Sequence, residues 1–384
     1  MSASILYLGM DVHKDSLTIA VFAPTGQQPL QLEKLPNDLH RIRRFLERLG
    51  RDGAELRACY EASSAGYVLQ RHFAAWDVHC DVIAPSLIPT RPGDKRKHDK
   101  RDAIQLGRMY RAGELVPVRI PSEAEERVRD LVRCRETFQK EILQSRHYIL
   151  KFLRRRGFIF REGTNWTQRH YAWIRGILAQ KQLPDEDHVV LSEYLSLLEY
   201  KLSRREELDR RIEELALEPF YKPAVDRLKC FRGIETHAAM VLATEIGDWR
   251  RFESPRQLMG YLGLVPSEDS SGDRRRQGRI TKSGNSHCRH VLVQAAWSYR
   301  RPPARSAALK KRQQGQPPEV VSHAWKAQQR LYKLFHRVGA RKAPQIAAVA
   351  VARELVGFLW AVLQEVEVPV TREKVLVSNG EQAA

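Results

Sequence analysis

The stretch ILYLGMDVHKDSLTIAVFA, residues 5–23, decides the fold of the first part of the chain. Ile5–Met10 and Leu17–Ala23 are two strand-length apolar runs separated by a polar segment. Such runs read as a β-hairpin in the centre of a sheet. Outward from it, Gln31–Leu35 forms a third strand. Leu39, Ile42, Phe45, Leu46 and Leu49 then recur at helical spacing. Residues 55–60 (ELRACY) make a strand that ends at Glu61, and a helix led by Gly66 follows. Val78–Ala84 is the next strand, closed by Pro85 and Pro89. From Asp99 to Gly113 the pattern is helical again, with Ile104, Leu106, Met109 and Tyr110 apolar.

Strands first, then alternating helices and strands, is an α/β order compatible with a ribonuclease H-like sheet over residues 1–122. Residues 123–217 are charge-rich and carry Leu131, Phe138, Ile142, Ile149, Phe152 and Leu153 at helical spacing. A second such stretch runs from Val189 to Leu217. Two long amphipathic helices joined by an aromatic-bearing linker, Phe158–Leu183, predict an antiparallel arm or coiled-coil insertion without chemistry of its own. Residues 218–384 read as a mostly helical third domain, with a Gly/Ser/Arg-rich loop at 266–286. Its helices are expected at about 287–299, 319–338 and 343–365, ahead of a solvated tail. Within it, CFRGIETHAAMVLATEIGDWRRF has the outline of a helix–hairpin–helix. Glu235 stands where a second glycine belongs, so a phosphate cradle and a purely structural hairpin both stay open.

Lys and Arg number 65 against 46 Asp and Glu, a formal net charge of +19. Self-repulsion on that scale calls for a polyanionic partner, and nucleic acid is the commonest. The five cysteines are far apart and form no CxxC pair, which argues against a zinc site or a disulfide scaffold and for a reducing, cytoplasmic setting. The N-terminus lacks the pattern of a signal peptide. Ile346–Leu363, interrupted by Arg353 and Glu354, reads as a buried helix, so no membrane partner is expected.

Asp11 and Glu61 each close an apolar strand. Asp99 and Asp102 stand three apart at a helix start, so both can lie on one face. Four carboxylates so placed can converge on two hard cations such as Mg2+, which stabilise the entering and leaving oxygens of a phosphoryl displacement. An acidic first turn is also a common cap in its own right. What favours the metal reading is the setting RPGDKRKHDKRDA, where Arg96, Lys97, Lys100 and Arg101 crowd around the acids. A second segment, GLVPSEDSSGDRRRQGRITKSGN, joins Ser270 and Ser271 to Arg274, Arg275, Arg276, Arg279 and Lys282. Its glycines permit close approach to phosphate and its guanidinium groups suit phosphate forks. A serine hydroxyl needs a base or a metal to become a nucleophile, and no local His-Asp partner is evident, although His287 and His290 follow closely.

Taken in order, GMDVHKDS, YEAS, KHDKRDA, RGI…AAMVLATEIGDWRRF, LMGYLGLVPSEDSSG, GRITKSGN, AWKAQQRLY and AVARELVGFLW resemble the DEDD transposases of the insertion sequence 110 family over almost the whole chain. The resemblance implies a RuvC-like domain, a coiled-coil insertion and a C-terminal transposase domain. It puts the acidic tetrad on Asp11, Glu61, Asp99 and Asp102 and the nucleophile on Ser271, with Ser270 as the fallback. It further implies a phosphoserine intermediate, DNA partners at element ends and target, a structured bridge RNA as guide, and a homo-oligomer from dimer to tetramer. The setting would be the bacterial cytoplasm, at the nucleoid. His98 and Lys100 depart from the commoner pattern around Asp99. Two other readings remain: a hydrolytic RuvC-like junction nuclease using the acids alone, and a catalytically silent nucleic-acid-binding protein.

Overall fold

The computed structural model describes residues 4–89, 98–268 and 277–366, divided into one unit up to Pro121 and another from Ser122. In the first, the apolar runs form β1 (Ile5–Val12) and β2 (Ser16–Phe22), followed by β3 (Gln31–Pro36), α1 (Leu39–Leu49), β4 (Glu55–Glu61), α2 (Val68–Ala75), β5 (His79–Ile83) and α3 (Asp99–Arg111). The strand order is β3-β2-β1-β4-β5. The first three strands are antiparallel, while β4 and β5 run parallel to β1, the ribonuclease H-like arrangement expected from the sequence.

Side-chain alternation divides this sheet cleanly. Leu8 and Met10 of β1 and Leu56, Ala58 and Tyr60 of β4 point into a core with Ile42, Phe45 and Leu46 of α1 and Phe73 of α2. The intervening residues face α3: Ala20 and Phe22 pack on Ala103, and Cys59 on Leu106. Helix α3 runs antiparallel to β1, since the Tyr110 ring lies 6.1 Å from Tyr7 while Asp99 sits beside His13. The two elements nearly touch. A Cβ on Gly9 would fall 2.1 Å from the Gly107 nitrogen and 2.4 Å from the Ala103 oxygen. Only a strand glycine opposite a helix glycine permits that approach.

The second unit begins with α4 (Glu123–Arg155), opened by a capping box between Ser122 and Glu125. It continues through α5 (Gln168–Ala179), α6 (Asp185–Leu215), α7 (Lys222–Lys229), α8 (Thr236–Ile246) and α9 (Pro255–Tyr261). The hairpin β6 (Pro266–Glu268) and β7 (Gln277–Ile280) precedes α10 (Ser286–Ala296), α11 (Ala307–Gln313), α12 (Pro318–Gly339) and α13 (Pro344–Leu363). Helices α4 and α6 are antiparallel, because Arg135 pairs with Asp209, Glu141 with Lys201 and Arg156 with Asp187. The stretch expected as a linker, 158–183, contains α5, whose Ile174 and Ile177 close a core with Ile142 and Phe152 of α4 and Leu191 and Leu195 of α6. Helix α11 was not expected either; seven residues are too few for a periodic signal.

Helix α8 packs against α4, α6, α7 and α10, and α12 against α13. Helix α13 is long and apolar enough to cross a membrane, yet Ala347, Ala348, Val351, Ala352, Leu355 and Leu359 are fully buried in the protein core. The turn between α7 and α8 meets the helix–hairpin–helix outline at Gly233, with φ +84°. A Cβ there would strike the Ala295 oxygen at 2.6 Å and Ser298 Oγ at 2.7 Å. That glycine therefore serves packing against the end of α10. The solvated tail expected over the last dozen residues lies outside the described residues.

Candidate active site

Strand register builds the site. Lys34 of β3 pairs with Thr18 of β2, Thr18 pairs with Asp11 of β1, and Asp11 follows Met10, the partner of Tyr60 in β4. Glu61 follows Tyr60, so Lys34, Thr18, Asp11 and Glu61 form one row across four strands. By alternation this row lies on the α3 face, at the carboxyl ends of the parallel strands β1 and β4, where open α/β sheets place their ligands. The first turn of α3 comes down over it with Asp99 and Asp102, and the free N–H groups of that turn favour negative charge.

His13 Nε2 stands 3.1 Å from Asp11 Oδ2 and 3.5 Å from Asp99 Oδ1. One ligand atom from each of these three residues lies within 4.8 Å of the others. Lys34 Nζ donates to Asp99 Oδ2 at 3.4 Å. Desolvation pushes the Asp99 carboxyl up, but the hydrogen bonds from Lys34 and its own backbone, with the charge of His13, hold it below the ordinary value. The turn that carries His13 is fixed by Asn37, whose Nδ2 donates to the carbonyls of His13 and Lys14. Asp11, His13 and Glu61 line one cleft of about 660 Å³ with Ser63 and Ser64. Asp99 lines another, of about 500 Å³, with Thr18, Lys34, Lys100 and Arg101. Two carboxylates and an imidazole gathered this closely fit a divalent cation: the oxygens suit Mg2+ or Mn2+, and Mn2+ accepts the nitrogen. Buried Thr18 Oγ1 in the second cleft has no partner among the described residues, a hydrogen-bonding position of the kind a hydrated ion uses.

Of the four acids singled out in the sequence, Asp11 and Asp99 enter this group. Glu61 shares the cleft of Asp11, and Asp102 is half-buried three residues along the same helix, outside the three-residue group. His13 and Lys34 were missed. The signal for His13 was its i+2 spacing from Asp11; the signal for Lys34 lay only in the β2–β3 register.

In the second unit, Ser270, Ser271, Arg274, Arg275 and Arg276 lie outside the described residues, as do Arg96 and Lys97 in the first. Arg279 sits on β7, and Lys282 just after it with φ +57°. The foot of this hairpin is locked by two left-handed glycines. A Cβ on Gly263 would meet the Ser283 oxygen at 2.1 Å, and one on Gly284 the Tyr261 oxygen at 1.9 Å. Asn285 then caps α10, accepting from the Cys288 N–H at 3.0 Å while donating to buried Glu245 at 2.6 Å. Glu245 takes both arms of Arg133, at 2.6 and 2.9 Å. His287 Nδ1 meets Glu136 of α4, a carboxylate partner 151 positions away that no local pattern reveals.

A DEDD transposase model of the insertion sequence 110 type matches residues 8–156, and the model described as transposase IS116/IS110/IS902 family matches residues 225–310. The chain is similar to a Sinorhizobium fredii protein named as a transposase, y4qE, with 37% identity over 94% of this chain and 88% of that one. It is similar to the transposase for insertion sequence element IS1533 of Leptospira borgpetersenii, with 30% identity over 88% of this chain and 97% of the other. The transposase for insertion sequence element IS1111A of Coxiella burnetii is 25% identical over 59% of this chain and 61% of its own.

Proposed function

The chain belongs to the IS116/IS110/IS902 family of transposases, enzymes that cut and rejoin DNA, and from that premise we propose that it does so with a divalent-metal site and a serine nucleophile. Asp11, Glu61, Asp99 and Asp102 are the proposed metal ligands, with Mg2+ as the proposed ion, in two copies. The observation that carries the reading is the grouping of Asp11 and Asp99 around His13 at the carboxyl end of β1. A cation there would offset the charge that develops on a phosphate oxygen. Lys34, which donates to Asp99, and Lys100, which lines the same cleft, attract the phosphodiester. Arg101, Arg279 and Lys282, with Arg96, Lys97, Arg274, Arg275 and Arg276, contribute the phosphate-binding surface.

The proposed nucleophile is Ser271. Its oxygen forms a bond to phosphorus as the bond to the departing sugar oxygen breaks; the hydroxyl proton leaves to a base, and the departing oxygen takes up a proton. The phosphoserine ester conserves the phosphodiester's free energy, so rejoining to a new strand needs no nucleotide cofactor. Supply of the serine from a neighbouring chain in a dimer or tetramer, guidance by a bridge RNA that reads sequence through base pairing, and a bacterial cytoplasmic, nucleoid-associated location complete the proposal. The test is Ser271→Ala, assayed for strand exchange with Mg2+ present. The expected result is loss of exchange with DNA binding retained; normal exchange would remove the serine, and hydrolytic cutting without joining would favour a nuclease using the acids alone.

A further inference from the structure

Charge is unevenly distributed along the α4–α6 pair. Glu123–Leu143 holds six acids and five bases, and Asp185–Leu215 ten acids and five bases. The intervening stretch, 144–181, holds nine Lys and Arg and a single acid, Glu162. A solvated helical arm gains nothing from such segregation, because like charges on neighbouring turns repel.

Pairing accounts for only part of the excess. Arg156 bonds to Asp187, whose carboxyl also feels Arg155, Arg169 pairs with Glu162, and Arg175 pairs with Glu199. Arg146 lies over the Trp166 ring. Lys151, Arg154, Arg161 and Lys181 are exposed and have no carboxylate partner among the described residues. Lys151, Arg154 and Arg155 are related by three and four positions on α4, so they share one face, and exposed His147 lies one turn before them.

We infer that the distal end of this helical pair is a binding surface for double-stranded DNA, which it holds through phosphates with Lys151, Arg154, Arg155 and Arg161. A duplex fits better than a single strand because the aromatic rings here are already committed. Phe160 packs on His170 and Trp173, Trp166 on His170 and Tyr171, and exposed Tyr148 stacks on Tyr194, so each of these rings already has an aromatic neighbour where an unpaired base would stack. The inference rests on the reading of the chain as a DNA-acting enzyme, but on none of the proposed catalytic residues. It also gives a task to an arm for which the sequence predicted no chemistry of its own.

The test compares the full-length protein with the variant Lys151→Gln/Arg154→Gln/Arg155→Gln/Arg161→Gln, measuring affinity for a 30-base-pair DNA duplex against salt concentration. Each phosphate contact contributes about 0.9 to the slope of log affinity against log salt, so the variant's slope should be shallower by about 3. A charge control, Arg43→Gln/Arg57→Gln/Arg204→Gln/Arg211→Gln, changes net charge equally at arginines that already sit in ion pairs and should keep the slope within about 1 of the unaltered protein. Should the quadruple variant fold poorly, Arg154→Gln/Arg155→Gln alone should lower the slope by about 2. An unchanged slope in a folded variant overturns the inference, as does a loss confined to a structured RNA hairpin run in parallel. Absence of duplex binding by the unaltered protein would instead overturn the reading on which it rests.

Discussion

Replacing Gly9 by alanine places a methyl group where the protein has backbone. The added Cβ would lie 2.1 Å from the Gly107 nitrogen, 2.4 Å from the Ala103 oxygen and 2.5 Å from the Gly107 Cα. No rotamer change can relieve contact with main-chain atoms, so α3 must lift by about 1.3 Å to turn the shortest of these into an ordinary 3.4 Å contact. Overpacking a close-packed interior costs about 1–3 kcal/mol, and a clash of backbone against backbone belongs at about 3. For a unit of this size that lowers the melting temperature by roughly 12 °C. The displacement has a second consequence. Asp11 rides on β1 and Asp99 on α3, so the separation opens between the residues that gather around His13. Metal ligation tolerates about 0.2 Å, and Mn2+ affinity should fall at least tenfold in molecules that remain folded. Calorimetry of unfolding and Mn2+ titration of the full-length protein measure both. Gly176→Ala in α5, where nothing lies within 4 Å of the new Cβ, is the matched control and should be neutral or slightly stabilising. A Gly9→Ala protein that melts within about 3 °C of the unaltered one and binds Mn2+ equally would refute the argument that this close approach positions the acids.

Asp11→Asn should weaken Mn2+ binding by tenfold or more in isothermal titration while leaving the fold intact, since Asp11 carries the carboxylate nearest His13; unchanged affinity would dissociate Asp11 from the cation. His237 is pushed down to about 4 by burial and then by the charge of Arg135, so between pH 6.5 and pH 4 the unfolded chain takes up a proton that the folded chain refuses. Stability therefore falls as pH falls through that window, by about 2 kcal/mol between pH 6.5 and 5; in denaturant titrations His237→Gln should flatten that loss, and an equal pH slope would count against it. Glu245 is a buried carboxylate whose desolvation is outweighed by Arg133, Asn285 and Arg129, which hold its pKa below the ordinary value. Its contribution is present above the unfolded value of 4.5 and lost as pH falls through the folded one. Glu245→Gln at pH 7 should cost about 2 kcal/mol, discounted for the partial exposure of Arg133, and a change in unfolding free energy below about 0.5 would show the network to be dispensable.

The limits of the sequence follow from what each signal depends on. Strand-end acids were legible because alternation makes a charged residue at the close of an apolar run conspicuous: Asp11 after Ile5–Met10, Glu61 after the strand beginning at Glu55. Their shared face was not, since it depends on the register Met10↔Tyr60 of β1 against β4. Nor was the row that completes the site. Lys34 reaches it only because β3 pairs with β2 in the register Thr18↔Lys34, and a slip of one residue would turn Lys34 to the opposite face. His13 belongs by spacing to the Asp11 face, yet its place at the start of a tight turn gave it the look of a solvated loop residue. Gly9 shows the same boundary from the other side. Its presence in GMDVHK is plain, but its reason is Gly107, which lies 98 positions away and comes opposite only after the sheet has formed. In the second unit Glu136 and His287 meet across 151 positions for a like reason, because α4 and α10 both pack on α8. Local patterns therefore identify residue type and the edge of an element; the partner that gives a residue its role is chosen by register and close packing. A substitution at Gly9 or Gly107 thus tests the site more severely than its distance from any carboxylate implies, because those glycines set the separation of the elements that bear them.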